Sequence, residues 1–108
     1  AIQGLGHALL EEVILEEGVS KNPHLLDYKI PTTLDAPPVV TIMLESGHGL
    51  GPFGAKGIGE PAMTPTPAAV MNAVSRAAGA PLTRFPITAE RVLAALKNPS
   101  PPPGERVG

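Results

Sequence analysis

The chain contains no cysteine and no tryptophan, and only one tyrosine and two phenylalanines. Without cysteine, disulfides, iron–sulfur ligation and thiolate zinc sites are excluded within these residues. With so few aromatics, any core must come from Ala, Val, Leu and Ile. Such a core is thin in 108 residues, because a chain of this size buries only ~60–65% of the surface it exposes when unfolded. Part of its apolar surface is therefore expected to face another segment or subunit, and the isolated chain to be poorly folded. The opening Ala1-Ile-Gln-Gly-Leu-Gly reads like the interior of a structural element, which points to a fragment. A concentration of positive charge is also lacking. The net charge is -2 and the eight basic residues are scattered, so no stripe exists to neutralise a nucleic-acid backbone. No apolar run is long enough to span a bilayer and no basic-then-apolar leader is present, so no membrane partner is expected. His7, His24 and His48 lack metal-ligand spacing, and metal coordination by protein side chains is not expected.

What is present is a mixture of helix and strand signals. Leu5, Leu9, Leu10, Val13 and Ile14 fall at helical spacing among Glu11, Glu12, Glu16 and Glu17. The spacing predicts a helix from about Gln3 to Glu12, with the glutamates on a solvated face. Val13-Ile14-Leu15 is open to a short strand. A turn is expected over Gly18 to His24, a strand over Leu26 to Ile30 and a loop over Thr32 to Pro38. Val39-Val-Thr-Ile-Met-Leu44 is the strongest strand signal. Thr66-Pro67 offers a capping hydroxyl and a proline at the first helical position, and Gly79 suits the end of that helix. Thr88 opens another helix, through Val92, Leu93 and Leu96 to Asn98-Pro99. Residues 99–108 are proline-rich and expected to be disordered or extended. The class is α+β, a few helices with a short mixed or antiparallel sheet.

The richest stretch runs from Ser46 to Pro61, where Gly47, Gly49, Gly51, Gly54, Gly57 and Gly59 crowd around Lys56 and Glu60. Ordering that many glycines is entropically unfavourable, so close approach of backbone to something is expected. Gly49-x-Gly51-x-x-Gly54 satisfies the dinucleotide pattern after a strand. That fold needs a helix directly off the last glycine, and Lys56, Gly57, Gly59 and Pro61 intervene. A P-loop fails because Lys56 is followed by Gly57. Glu60 lies between a glycine and a proline with apolar Gly-Ile-Gly and Pro-Ala-Met on its flanks. A loop glutamate is ordinarily just solvated, but in apolar surroundings a carboxylate becomes a stronger base. Gln3-Gly4-x-Gly6 reads either as a permissive helix start or as an amide that contacts a ligand.

Gly54-Ala-Lys-Gly-Ile-Gly-Glu-Pro-Ala-Met63 resembles the xanthine dehydrogenase family of molybdenum hydroxylases, and Pro67-Ala-Ala-Val-Met-Asn-Ala-Val74 resembles the helix that follows in their large subunits. Gln3-Gly-Leu-Gly-His-Ala-Leu-Leu-Glu-Glu-Val13, Asp27-Tyr-Lys-Ile-Pro-Thr32 and Pro86-Ile-Thr-Ala-Glu-Arg-Val-Leu-Ala-Ala-Leu96 are similar to three further family segments in the same order. The resemblance implies that residues 1–98 are the C-terminal part of a molybdopterin-binding domain, followed by the tail at 99–108. It maps the family's active-site base onto Glu60, which would deprotonate a molybdenum-bound hydroxide as an aldehyde or N-heterocycle is hydroxylated. It also implies that Gln3 lies against the molybdopterin and that Lys56, Gly57 and Gly59 shape the loop near the cofactor. The cofactor would be molybdopterin, plain or as its cytosine dinucleotide, with molybdenum. Iron–sulfur clusters and FAD would sit on other chains or segments. The implied partners are the rest of the large subunit, iron–sulfur and flavin subunits, and a small-molecule substrate. The implied location is cytoplasmic, although some members are exported. A second hypothesis keeps the descent but makes the chain a non-catalytic scaffold or subunit-interaction domain with Glu60 solvated. The position of Glu60 relative to molybdenum separates the two.

Overall fold

Small residues decide where the first helix can pack. In the computed structural model, which describes residues 1–45, 47 and 49–98, helix α1 spans Ile2–Leu9 and buries Gly4, Gly6 and Ala8. The helix closes earlier than the spacing predicts. Leu10 leaves helical geometry, and the Leu10 and Glu11 N–H groups both donate to the Gly6 carbonyl at 2.9 Å. The β-branched pair that follows favours extended backbone, and the chain enters a tight hairpin. Strands β1 (Leu15–Glu16) and β2 (Val19–Ser20) pair antiparallel, with Leu15 opposite Ser20 and Glu16 opposite Val19. Glu17 and Gly18 both take positive φ, 51° and 79°, as a two-residue hairpin turn of the primed type demands. Asn22 ties the hairpin to the exit of α1. It is 6% exposed, accepts from the Ile14 N–H at 2.9 Å and donates to the Glu12 carbonyl at 2.6 Å.

Neither of the two strands expected further along forms. Over Leu26 to Ile30 the chain turns, because the Asp27 and Tyr28 N–H groups both donate to the His24 carbonyl, at 2.9 and 2.8 Å. The Tyr28 hydroxyl then reaches back to Glu11 Oε2 at 2.7 Å, and this bond to a carboxylate holds the phenol above its ordinary pKa. Val39–Leu44 runs without regular secondary structure and with its side chains exposed, and it pairs with no strand among the described residues. Strand propensity describes a surface that fits against a paired neighbour, and the described residues supply no strand to pair with it.

Helix α2, Thr66–Ala78, turns Val70, Met71, Val74, Ser75 and Ala78 partly inward. Gly79 ends it in the left-handed conformation (φ 63°), with the Gly79 N–H bonded to the Arg76 carbonyl and the Ala80 N–H to Ser75. The Thr66 hydroxyl does not cap this helix as expected. A turn begun at Glu60 feeds straight into it, and the hydroxyl donates back to the Ala62 carbonyl at 3.0 Å. Helix α3, Ala89–Lys97, does start as its sequence indicates, since the Thr88 hydroxyl accepts from the Arg91 N–H at 3.3 Å. Among the described residues, three α-helices and a two-stranded antiparallel sheet make the class α+β. The expected tail at 99–108 lies outside the described residues.

The apolar centre is small. Ala8, Ala80 and Ile87 are buried, and the Ile87 N–H donates to the Ala8 carbonyl at 2.6 Å. Among the described residues twenty large apolar side chains are exposed, with Leu44 at 89% and Phe53 fully open. Ion pairing carries part of the load that burial does not. Glu12, expected on a wet helix face, lies beyond the end of α1 and is held by Arg91. The Arg91 Nη2 donates to both carboxylate oxygens, at 2.7 and 2.9 Å, while its Nη1 donates to the Pro86 carbonyl at 2.7 Å. Arg84 adds a longer bond of 3.4 Å to the same carboxylate.

The hydrogen bond from Arg91 holds the Glu12 carboxyl below its ordinary pKa, against a smaller opposing effect of desolvation. The stability this pair contributes is therefore present above the ordinary carboxylate range and is lost as pH falls through the lowered value. The protection of α3 amides, taken relative to their intrinsic exchange rates, is expected to fall on acidification through that window. An Arg91→Ala variant should lose the acid-dependent part of this change. Equal acid sensitivity in the two proteins would contradict the tether.

Candidate functional site

Glu60 heads a turn whose hydrogen bonds all converge on its own carbonyl. The Met63 N–H donates to it at 2.9 Å, and the Thr64 N–H and hydroxyl donate at 3.2 Å. Pro61 supplies a fixed φ at the first corner of this turn, which then runs into α2. Helix α1 crosses at the same place. A Cβ on Gly4 would stand 2.6 Å from Thr66 Cβ and 2.9 Å from the Met63 carbonyl oxygen, so only glycine lets the helices meet this closely. The crossing brings two residues fifty-seven positions apart into contact, and the Gln3 Nε2 donates to Glu60 Oε1 at 3.1 Å. Both are singled out by the sequence, and the fold brings them together.

The glycines divide into two kinds. A Cβ on Gly49 would fall on the Gly54 carbonyl oxygen, and one on Gly51 would stand 2.6 Å from the Ala55 carbonyl oxygen. The close approach expected there is therefore of the loop to itself. A single 3₁₀ turn at Pro52–Gly54, with Phe53 at φ 57°, closes that fold-back. No helix opens at Gly54, and the next one starts at Thr66. The dinucleotide reading is excluded. Gly57 and Gly59 are of the other kind, since a Cβ there would meet no protein atom within 4 Å. Their backbone is open to a bound group.

Lys56 and Gly57 line an open groove of about 440 Å³ with Ile42, Met43, Leu44, Ile58 and Pro61. The Gly-Ile-Gly flank of Glu60 thus runs along an apolar surface, but Glu60 itself is exposed on this chain. The apolar enclosure expected around its carboxylate is not supplied by the described residues. Among them no group of three or more His, Cys, Asp or Glu side chains could hold a metal ion. The donor that the structure sets against the Glu60 carboxylate is the Gln3 amide, a group suited to a polar organic ligand as well.

Sequence reasoning named Gly4 and Thr66 for other roles and missed the contact that sets this geometry, Gly4 against Met63 and Thr66. A signal for the first was available: Gly4, Gly6 and Ala8 put the smallest side chains on alternate positions of a short helix. Nothing in the spacing marks Met63, which acts through its peptide group.

No protein-family model matches the chain. Curated relatives do. A xanthine dehydrogenase molybdenum-binding subunit of Escherichia coli O157:H7 is 41% identical over 91 residues, covering 82% of this chain and 12% of the relative. The nicotine 6-hydroxylase large subunit of Paenarthrobacter nicotinovorans is 35% identical, covering 89% of this chain and 12% of the relative. Quinoline 2-oxidoreductase from Pseudomonas putida 86 is a structural match at TM-score 0.82 and 40% identity, over 92% of this chain and 13% of that one. The chain is homologous to the molybdenum-binding subunits of the xanthine dehydrogenase and aldehyde oxidoreductase family. It spans about an eighth of the length of the relatives it matches.

Proposed function

We propose that the chain is the segment of a molybdenum hydroxylase large subunit that supplies the active-site base, Glu60, for oxidation of an aldehyde or N-heterocycle. The observation that carries this reading is the meeting of Gln3 and Glu60 beside Gly57 and Gly59, whose backbone is open. When bound, molybdopterin supplies the metal and the two-electron redox chemistry. The residues of this chain that would hold it are Gln3, through its amide, and the loop backbone at Lys56, Gly57 and Gly59. Glu60 takes up a proton at its carboxylate. The turn at Met63 and Thr64 fixes the backbone from which that carboxylate reaches.

The exposed apolar residues fit a partner better than solvent. Exposed apolar surface of this kind marks interfaces, and relatives about seven times as long supply the natural candidate, the rest of the same subunit. Burial against it would give Glu60 the apolar enclosure it lacks here and turn a solvated carboxylate into an effective base. Electrons would leave through iron–sulfur and flavin subunits, and the same reading makes the assembled enzyme cytoplasmic. Turnover of a Glu60→Gln enzyme that keeps its molybdenum tests the proposal. Loss of turnover supports it, and near-normal turnover returns the chain to a structural role.

A further inference from the structure

Helix α1 and the Glu60 turn are joined through one peptide group. It is the Met63–Thr64 peptide: its N–H, on Thr64, donates to the Glu60 carbonyl at 3.2 Å, and its oxygen, the Met63 carbonyl, lies 2.9 Å from where a Cβ of Gly4 would stand. The residue before Gly4 therefore has its place set relative to Glu60 by a bonded chain of close contacts. That residue is Gln3, the only glutamine in the chain. We propose that Gln3 is a positioning residue, holding the Glu60 carboxylate in one orientation by donating from Nε2 to Oε1.

The inference rests on Glu60 being the base. The chemistry of the side chain suits the task. An amide donor orients a carboxylate without bringing a charge that would neutralise it. Its carbonyl oxygen is not used in this bond and, as an acceptor, can serve a bound group. A freely rotating glutamate would spend only part of its time aimed at the reacting atom, and orientation errors of this size are costly to rate.

The test uses the assembled enzyme with Gln3→Ala, Gln3→Glu, Glu60→Gln and the Gln3→Ala, Glu60→Gln double variant. Gln3 is exposed and alanine is the better helix former, so α1 is retained. Gln3→Ala is expected to lower kcat about ten- to a hundred-fold, the range for losing a hydrogen bond to a charged group. KM should remain near parental, and rates are compared per bound molybdenum because Gln3 also lies among the residues that would hold the cofactor. Gln3→Glu should lose at least as much, since it sets a second carboxylate against the first. In the Glu60→Gln background Gln3→Ala should cost nothing further, because the residue acts through Glu60. Unchanged kcat in Gln3→Ala beside an inactive Glu60→Gln overturns the positioning role and leaves the base intact. Losses per bound molybdenum that multiply in the double variant overturn it by assigning Gln3 to the cofactor alone. Near-normal turnover of Glu60→Gln overturns both readings together.

Discussion

A Glu60→Gln enzyme is expected to lose turnover by about 10²- to 10⁴-fold, the usual contribution of a positioned general base, while keeping its molybdenum. The substitution isolates proton transfer because it preserves almost everything else. Glutamine has the same length, and its side-chain carbonyl can still accept from the Gln3 amide that now meets Glu60 Oε1 at 3.1 Å. The turn hydrogen bonds use the backbone carbonyl of residue 60 and are untouched. What disappears is the ability to take up a proton. Turnover and metal content measured on the same preparation separate this loss from loss of the cofactor. Full turnover at full metal content would exclude Glu60 as the base.

A Gly4→Val variant should be destabilised by about 2–3 kcal/mol or more, the upper part of the range for overpacking a close contact. Two effects oppose each other here. Replacing a helical glycine normally helps, by roughly 0.5–1 kcal/mol for alanine and less for a β-branched side chain. At Gly4 the clash is larger, because one of the atoms in the way is the Met63 carbonyl oxygen, which cannot rotate aside while its peptide also serves the Glu60 turn. Relief requires α1 to move off α2, which also pulls Gln3 from Glu60. The variant is therefore expected to lose stability and turnover together. Gly57→Ala is the matched control, since a Cβ there meets nothing within 4 Å and stability should hold. Denaturant unfolding of the two variants in the full subunit checks the contrast. Equal midpoints would mean that the α1–α2 crossing is not tight.

What the sequence makes legible is mostly local. Thr88 and Gly79 start and stop helices as their side chains dictate, because a hydroxyl cap and a left-handed glycine act within a few residues. The expectation at Thr66 fails for an equally local reason, a competing turn from Glu60 that occupies the hydroxyl. Val39–Leu44 fails differently. Its composition favours a strand, but pairing depends on a neighbour that composition cannot supply. Glu12 is misread because its partner, Arg91, lies seventy-nine residues away and nothing in the helical spacing points to it. For the site, Glu60 and Gln3 are legible as residues, from the glycine-rich setting and the family resemblance. Their hydrogen bond is not, since it depends on Gly4 accepting the Met63 peptide.

The most direct test of the account is the position of Glu60 in a crystal structure of the complete molybdenum-loaded subunit containing this segment. The account predicts the carboxylate enclosed by the rest of the subunit, facing the molybdenum within hydrogen-bonding reach of the groups around it, with Gln3 still at its side. A carboxylate open to solvent and far from the metal would contradict it and leave the chain a structural element of its family.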